Sequence, residues 1–136
     1  MNDLNELKVN TRIIIASLWV VMLFMYAYID IFAFFRADVL QNALDGKVFV
    51  FEANQLFFLL TTIYILIPSS MIFLTLVLSS KFAKVINIFL PMLYIITIAG
   101  SMVGETWVYY LLGSVAEIIV LAVLIGYAWR WPKKAI

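Results

Sequence analysis

IIIASLWVVMLFMYAYIDIFAFF, residues 13–35, is the stretch that decides the fold. Its only charged residue is Asp30, and as an α-helix it would be about 34 Å long, enough to cross a hydrocarbon layer of about 30 Å. A signal peptide is the competing interpretation, but the apolar stretch is too long and no small-x-small cleavage site follows it. Asp3 and Glu6 also interrupt the basic leader that such a peptide needs. We therefore predict a transmembrane helix here.

The composition extends this prediction to the whole chain of 136 residues. Hydrophobic residues make up 66% and charged residues 12%, whereas soluble globular proteins have about 25% charged residues. Because a domain of this size cannot bury so much apolar surface in water, we expect the lipid bilayer to surround it. A net charge of +1 with scattered basic residues excludes a nucleic-acid partner. Since Cys and His are absent, we predict no metal site and no cofactor.

Three further apolar runs predict three more spans, at residues 56–78, 85–103 and 107–129. The first of these contains Pro68, which removes an amide donor and frees the carbonyl of Tyr64. Membrane helices tolerate this when a neighbouring hydroxyl takes over the bond. The predicted fold is an all-α, antiparallel bundle of four transmembrane helices, forming a single domain over residues 1–136.

Basic residues are distributed unequally between the two ends of these spans. One end has only Arg36 and Lys47, and the other has seven: Lys8, Arg12, Lys81, Lys84, Arg130, Lys133 and Lys134. Lysine and arginine in short flanks are retained in the cytoplasm during insertion, so we expect both termini to be cytoplasmic. Lys81 and Lys84 are expected to mark a tight turn between the second and third spans.

The outer loop, residues 36–55, is expected to have structure of its own. Residues 38–44 can form a short interfacial helix, and Asp45-Gly46 is typical of a turn. The apolar segment Val48–Phe51 is expected to lie back on the bundle. Two interpretations stay open for this loop: a lid over the outer mouth, or a segment that only covers the helix ends.

Two carboxylates, Asp30 and Glu117, fall in the outer half of the first and fourth spans. A charged group inside a bilayer costs roughly 2.5 to 3.5 kcal/mol on insertion scales and usually faces the bundle, water or a ligand. No Lys or Arg occurs within the spans, and Arg36 projects from a different side of the helix from Asp30. The charge must be met by protonation, by hydrogen bonds or by a cation from solution.

Polar and aromatic residues recur at helical spacing on all four spans, and facing inward they would line a cavity with the carboxylates. The candidate ligand-binding residues are Glu117, Asp30, Tyr26, Tyr64, Asn87, Tyr94, Tyr110 and Ser114. The structural alternative is that the hydroxyl and amide groups only hydrogen-bond the helices together.

Several short stretches carry a resemblance to a known family. They are Tyr28-Ile29-Asp30-Ile31, Ile67-Pro68-Ser69-Ser70-Met71, Asn87-Ile88, Tyr110 with Glu117-Ile118, and Tyr127-Ala128-Trp129-Arg130-Trp131. Over nearly its whole length the chain resembles a family of small bacterial four-helix membrane proteins of unknown function. Its layout is also loosely similar to that of the DoxX-like membrane proteins. Leu66 departs from the family pattern, which has an acidic residue before the Ile-Pro pair. The resemblance implies the fold and the bacterial inner membrane, and no activity.

Three functions are weighed. The first is binding or transport, with proton coupling as one form of it, of a cationic or lipophilic small molecule in an outward-opening cavity. The second is a structural or accessory subunit of a membrane complex. The third is a membrane enzyme acting on lipid, which the sequence favours least because no nucleophile arrangement is recognisable. A stoichiometric partner would favour the second function, and a monomer or homo-oligomer with an occupied cavity the first.

Overall fold

The computed structural model describes residues 4–133. Its elements are α1 (Thr11–Phe34), α2 (Ala37–Leu44), β1 (Lys47–Val48), β2 (Phe51–Glu52), α3 (Gln55–Val77), α4 (Ser80–Ser101) and α5 (Val108–Trp129). The helices α1, α3, α4 and α5 are each long and apolar enough to cross a membrane. The predicted all-α fold with four such helices is therefore confirmed. Asp3 and Lys134, which entered the sequence arguments, lie outside the described residues.

Local capping explains where two of the long helices begin. The side chain of Asn10 accepts a hydrogen bond from the backbone N–H of Arg12, at 2.8 Å, and starts α1. The side chain of Asn54 accepts one from the N–H of Phe57, at 2.9 Å, and starts α3. Each cap satisfies an amide that would otherwise lack a partner in the first helical turn.

The turn between α3 and α4 is shorter than the sequence predicted. It consists of Leu78 and Ser79, and α4 begins at Ser80, so Lys81 and Lys84 lie in its first turns. The prediction that these lysines form the turn was wrong. Hydropathy marks where an apolar run begins, whereas a helix can continue into polar residues beyond it. Here the end nearest this turn is called the inner end of the bundle, and the end that carries α2 is called the outer end.

Helix α1 packs against both α3 and α5, and α5 in turn packs against α4. By these contacts the helices follow one another in the order α3, α1, α5, α4. The core is built on the side of α1 that carries Ile15, Trp19 and Met22, none of which is more than 1% exposed. At the α1–α5 contact, Ile29 lies directly on Gly113, and any larger residue at position 113 would overlap the end of the Ile29 side chain. Backbones α3 and α4 approach less closely, and side chains bridge them.

The outer loop confirms two of three expectations. The short helix forms as α2, and the turn forms at Gly46, whose φ is 78°. The prediction that Val48–Phe51 lies back on the bundle was wrong for the tip of the segment, although the ring of Phe51 lies 5.9 Å from that of Phe57 at the start of α3. Lys47 pairs with Glu52 in a small antiparallel hairpin, and the two tip residues, Phe49 and Val50, are 63% and 91% exposed. Apolar composition indicated burial, but the hairpin turn, with φ of 55° at Phe49, carries the tip outward.

Candidate functional site

A polar cluster lies deep in the inner half of the bundle. The indole N–H of Trp19 donates to Asn87 Oδ1 at 2.7 Å, and Asn87 Nδ2 donates to Thr75 Oγ1 at 3.2 Å and to the Ala83 carbonyl at 2.9 Å. The side chains of Trp19, Asn87 and Thr75 are fully buried. These bonds join α1, α3 and α4 and use both ends of the Asn87 amide. The structure therefore places Asn87 apart from the other candidate residues, in a cluster whose contacts are interhelical.

A second polar layer surrounds the proline of α3. The hydroxyl of Tyr94 on α4 donates to the backbone carbonyl of Tyr64, which is the carbonyl left without an amide donor by Pro68. The rings of Tyr64 and Tyr94 are 4.5 Å apart, and Tyr94 also meets Trp19 edge-on at 6.3 Å. The expected takeover by a neighbouring hydroxyl is confirmed, and it ties α3 to α4 where their backbones stand apart.

A chain of hydroxyl groups runs across this layer. Tyr26 donates to the Tyr64 hydroxyl at 3.0 Å, and the Tyr64 hydroxyl shares a hydrogen bond with Thr97 Oγ1. Thr97 also donates to the Tyr94 carbonyl at 2.8 Å. Thr97 was missed by the sequence reasoning, although its position three residues after Tyr94 puts it on the same helix face. The chain connects α1, α3 and α4, and one end of it, Thr97, is exposed.

The two predicted carboxylates come together at the other end of this chain. Glu117 and Asp30 are close enough for their charges to interact, and both act on the hydroxyls of Tyr26 and Tyr110. By helical rise, Asp30 lies about 6 Å and Glu117 about 13 Å below the outer ends of their helices. Ser114 lies one turn from Glu117 on the same face of α5.

Neither carboxylate has an internal counter-ion or a hydrogen-bond donor among residues 4–133. The ion pairs of this part of the chain all involve Arg36, and its hydrogen bonds include neither Asp30 nor Glu117. Among the buried and half-buried residues of this part of the chain, every side-chain N or O atom that water cannot reach has a hydrogen-bond partner. The oxygens of Glu117, which is 4% exposed, and of Ser114, which is 2% exposed, have no hydrogen-bond partner among these residues and so retain slight exposure.

Side chains on one face of α1 become more accessible toward the outer end. Asp30 is on the same side of α1 as Tyr26 and Trp19, at spacings of four and eleven residues, which is the side that packs in the bundle. Trp19 is fully buried, whereas Asp30 is exposed. The neighbouring helices therefore cover α1 more completely at Trp19 than at Asp30. An accessible carboxylate at this position can attract a cation.

A cluster at the outer rim was not anticipated. Arg36 is buried and binds Asp38 at 2.7 Å, Glu105 at 3.2 Å and the Tyr109 hydroxyl at 3.4 Å, with its guanidinium 4.3 Å from the centre of the Trp107 ring. It fastens the start of α2 to the segment between α4 and α5. Since Arg36 is fully engaged here, it does not serve as a counter-ion for the membrane carboxylates.

The charges of this rim cluster stabilise one another. The hydrogen bond from Arg36 lowers the pKa of Asp38, and the same bond raises the pKa of Arg36. Burial opposes ionisation of Glu105, but hydrogen bonds from the backbone N–H of Trp107 and from Arg36 outweigh it, so the pKa of Glu105 is lowered. All three groups are therefore ionised near neutral pH.

Two pockets lie away from the carboxylates. One, of about 380 Å³, is at the inner end beside Arg12 and Trp131, and the other, of about 300 Å³, is an apolar groove on α3 beside Phe58 and Ile65. Residues 4–133 contain no group of three or more acidic side chains that could hold a metal ion. Of the eight candidate residues, seven lie in the outer-half layers and Asn87 does not.

Comparison with known proteins gives one match. The model of a family of unknown function, DUF6326, matches residues 3–136. No curated protein and no solved structure matches the chain.

Proposed function

Because the chain belongs to the DUF6326 family of unknown function, we propose its role from the site alone: it binds a small cationic or lipophilic molecule from the outer side of the membrane. The observation that carries this proposal is the pair Asp30 and Glu117, near enough for their charges to interact and without a counter-ion in residues 4–133. A cation would supply the missing positive charge. Proton-coupled transport is the fuller form of the same proposal, with Glu117 exchanging a proton for the cation.

The geometry supports a division of roles between the two acids. Asp30 is exposed and within electrostatic range of the hydroxyls of Tyr26 and Tyr110. The rings of these tyrosines can also hold a cation through their faces. Glu117 is buried and has no hydrogen-bond partner in the described residues, which suits a proton or a compact cationic group. A lipophilic cation would then rest at Asp30 and direct its charge toward Glu117.

We also propose an orientation of the chain and the membrane in which it lies. Seven basic residues on one side of the spans favour cytoplasmic termini, which places the Asp30 mouth outside the cell or in the periplasm. We place the protein in the bacterial inner membrane, in a layout similar to that of the DoxX-like proteins.

The test compares a lipophilic cation with an uncharged relative that lacks one of its four phenyl rings. Purified protein in lipid nanodiscs would be titrated with tetraphenylphosphonium and with uncharged triphenylphosphine. We expect Glu117→Gln and Asp30→Asn to weaken tetraphenylphosphonium binding at least about tenfold, the effect of roughly 1.4 kcal/mol. Glu52→Gln, at an exposed carboxylate in the hairpin, is the matched control and should bind as the wild type does. Equal binding by all four proteins would refute the proposal.

A second function, an accessory subunit, is favoured by the surface of α3. Only 11% of the most apolar window of α3 is buried within the chain, against 22 to 33% for the other three long helices. The groove beside Phe58 and Ile65 lies on this helix. Isolation in mild detergent distinguishes the two functions: a stoichiometric partner protein supports the subunit, and a monomer or homo-oligomer that binds the cation supports the first proposal.

A further inference from the structure

The pocket at the inner end of the bundle has a composition unlike that of the carboxylate site. It has a volume of about 380 Å³ and is lined by residues before and at the start of α1, by Ser80 at the start of α4, and by Trp131 and Pro132 after α5. Two of its lining residues, Lys8 and Arg12, are basic, and none is acidic. The pocket is therefore a positively charged recess at the level of the helix ends.

Arg12 is held rigidly in this pocket with part of its hydrogen-bonding capacity unused. Its Nη1 donates to the carbonyls of Thr75 and Leu78 at 2.9 and 2.6 Å, and its Nη2 donates to Ser80 Oγ at 3.0 Å. The guanidinium also lies 5.2 Å from the centre of the Trp131 ring. A guanidinium has five N–H donors. Within residues 4–133, the Nε hydrogen and one Nη2 hydrogen of Arg12 thus remain without an acceptor.

The positive charge of the pocket is also unbalanced. Neither Lys8 nor Arg12 has an ion pair within residues 4–133, where every ion pair involves Arg36 at the opposite end of the bundle. The carbonyls at the end of α3 offset part of the Arg12 charge through the helix dipole. The side chain of Lys8 makes no hydrogen bond in the described residues.

We propose that this inner pocket binds a phosphate group. The unused Nε and Nη2 donors of Arg12 suit phosphate oxygens, and Lys8 adds a mobile charge beside them. Basic pockets between membrane helices on the positively charged side of a protein bind anionic lipid headgroups. A phospholipid is one source of the phosphate, since Trp131 is an aromatic residue of the kind found at the lipid interface. A soluble phosphate ester is the other source. The site is separate from Asp30 and Glu117 and does not depend on the function proposed for them.

The test measures which lipid the protein retains. Full-length protein in mild detergent would be mixed with equal amounts of phosphatidylglycerol and phosphatidylcholine of identical acyl chains, and bound lipid counted by native mass spectrometry. We expect preferential retention of phosphatidylglycerol, reduced about fivefold in Lys8→Gln, which removes one interfacial charge and no hydrogen bond of the fold. Arg12→Lys should also lose the preference, and Lys47→Gln, an exposed lysine at the outer end, should keep it.

A parallel titration with glycerol phosphate separates the two sources. Binding of glycerol phosphate that is lost in Lys8→Gln and that displaces the lipid supports the pocket with a soluble ligand. Lipid preference without such binding supports a lipid headgroup. Equal retention of the two lipids together with no binding of glycerol phosphate would overturn the proposal, as would identical effects of Lys8→Gln and Lys47→Gln. Because Lys8→Gln leaves the fold contacts intact, this result stands even if Arg12→Lys fails to fold.

Discussion

Replacing Tyr94 with Phe would remove the hydroxyl that compensates for Pro68. The ring would stay in place against Trp19 and Tyr64, so packing is preserved and only the bond to the Tyr64 carbonyl is lost. Interhelical hydrogen bonds in membranes contribute about 0.6 kcal/mol on average and about 1.7 at most. An acceptor left unpaired in a buried site costs about 1 to 3 kcal/mol. The Tyr64 carbonyl has no helical amide donor, so we expect a loss at the upper end of the first range, about 1.5 kcal/mol.

A double-mutant cycle separates the loss of the hydrogen bond to the Tyr64 carbonyl from the other effects of Tyr94→Phe. In Pro68→Ala the backbone N–H at position 68 returns and can bond the Tyr64 carbonyl within α3. Tyr94→Phe should then cost less than about 0.5 kcal/mol, which gives a coupling of about 1 kcal/mol between the two positions. Unfolding by SDS in mixed micelles, followed by circular dichroism, measures each free energy. Tyr28→Phe, at an exposed tyrosine without a hydrogen bond in the described residues, is the control. An equal cost for Tyr94→Phe in both backgrounds would show that the Tyr94 hydroxyl does not compensate for Pro68.

Three further outcomes are expected from the same kind of unfolding measurement. Asn87→Leu should destabilise the protein by about 2 kcal/mol, because it leaves two buried polar groups without their partner, and an unchanged midpoint would contradict the buried cluster. Gly113→Val should cost about 1 to 3 kcal/mol by overpacking, and Ile29→Ala should relieve part of that cost; additive losses would speak against the close contact. Arg36→Gln should lower stability at pH 7 by about 2 kcal/mol. Since the fold lowers the pKa of Glu105, this difference should be complete above the unfolded carboxyl pKa of about 4 and should shrink as the pH falls below it; a difference independent of pH would contradict the ion pair.

The sequence predicted the parts of the site that depend on one helix or on a general property of lipid. The apolar runs predict four long helices, and the absence of Lys and Arg within those apolar runs predicts carboxylates without a counter-ion. The hydrogen bond to the Tyr64 carbonyl could be anticipated because Pro68 removes the helical amide donor of that carbonyl. The identity of its donor, Tyr94, could not, since spacing along one helix does not fix which residues of another helix face it.

The remaining features depend on tertiary register, which a single sequence does not record. Asn87 has the spacing of a site residue, yet its neighbours Trp19 and Thr75 satisfy it in the inner half. The role of Arg36 depends on Glu105, which is 69 positions later in the chain and meets it only because α4 and α5 join at the outer end. The outward turn at Phe49 is a backbone property, and residue polarity at that position indicates the opposite.

Infrared difference spectroscopy of the carboxyl groups can determine whether Asp30 and Glu117 form a cation site without a resident counter-ion. The spectrum of wild-type protein in nanodiscs would be recorded before and after addition of tetraphenylphosphonium, together with Asp30→Asn, Glu117→Gln and the control Glu52→Gln. We expect a cation-induced carboxyl band in the wild type and in Glu52→Gln that is altered in Asp30→Asn and lost in Glu117→Gln. A wild-type spectrum without such a band, or one that both site variants reproduce, would rule out a cation site at these two carboxylates.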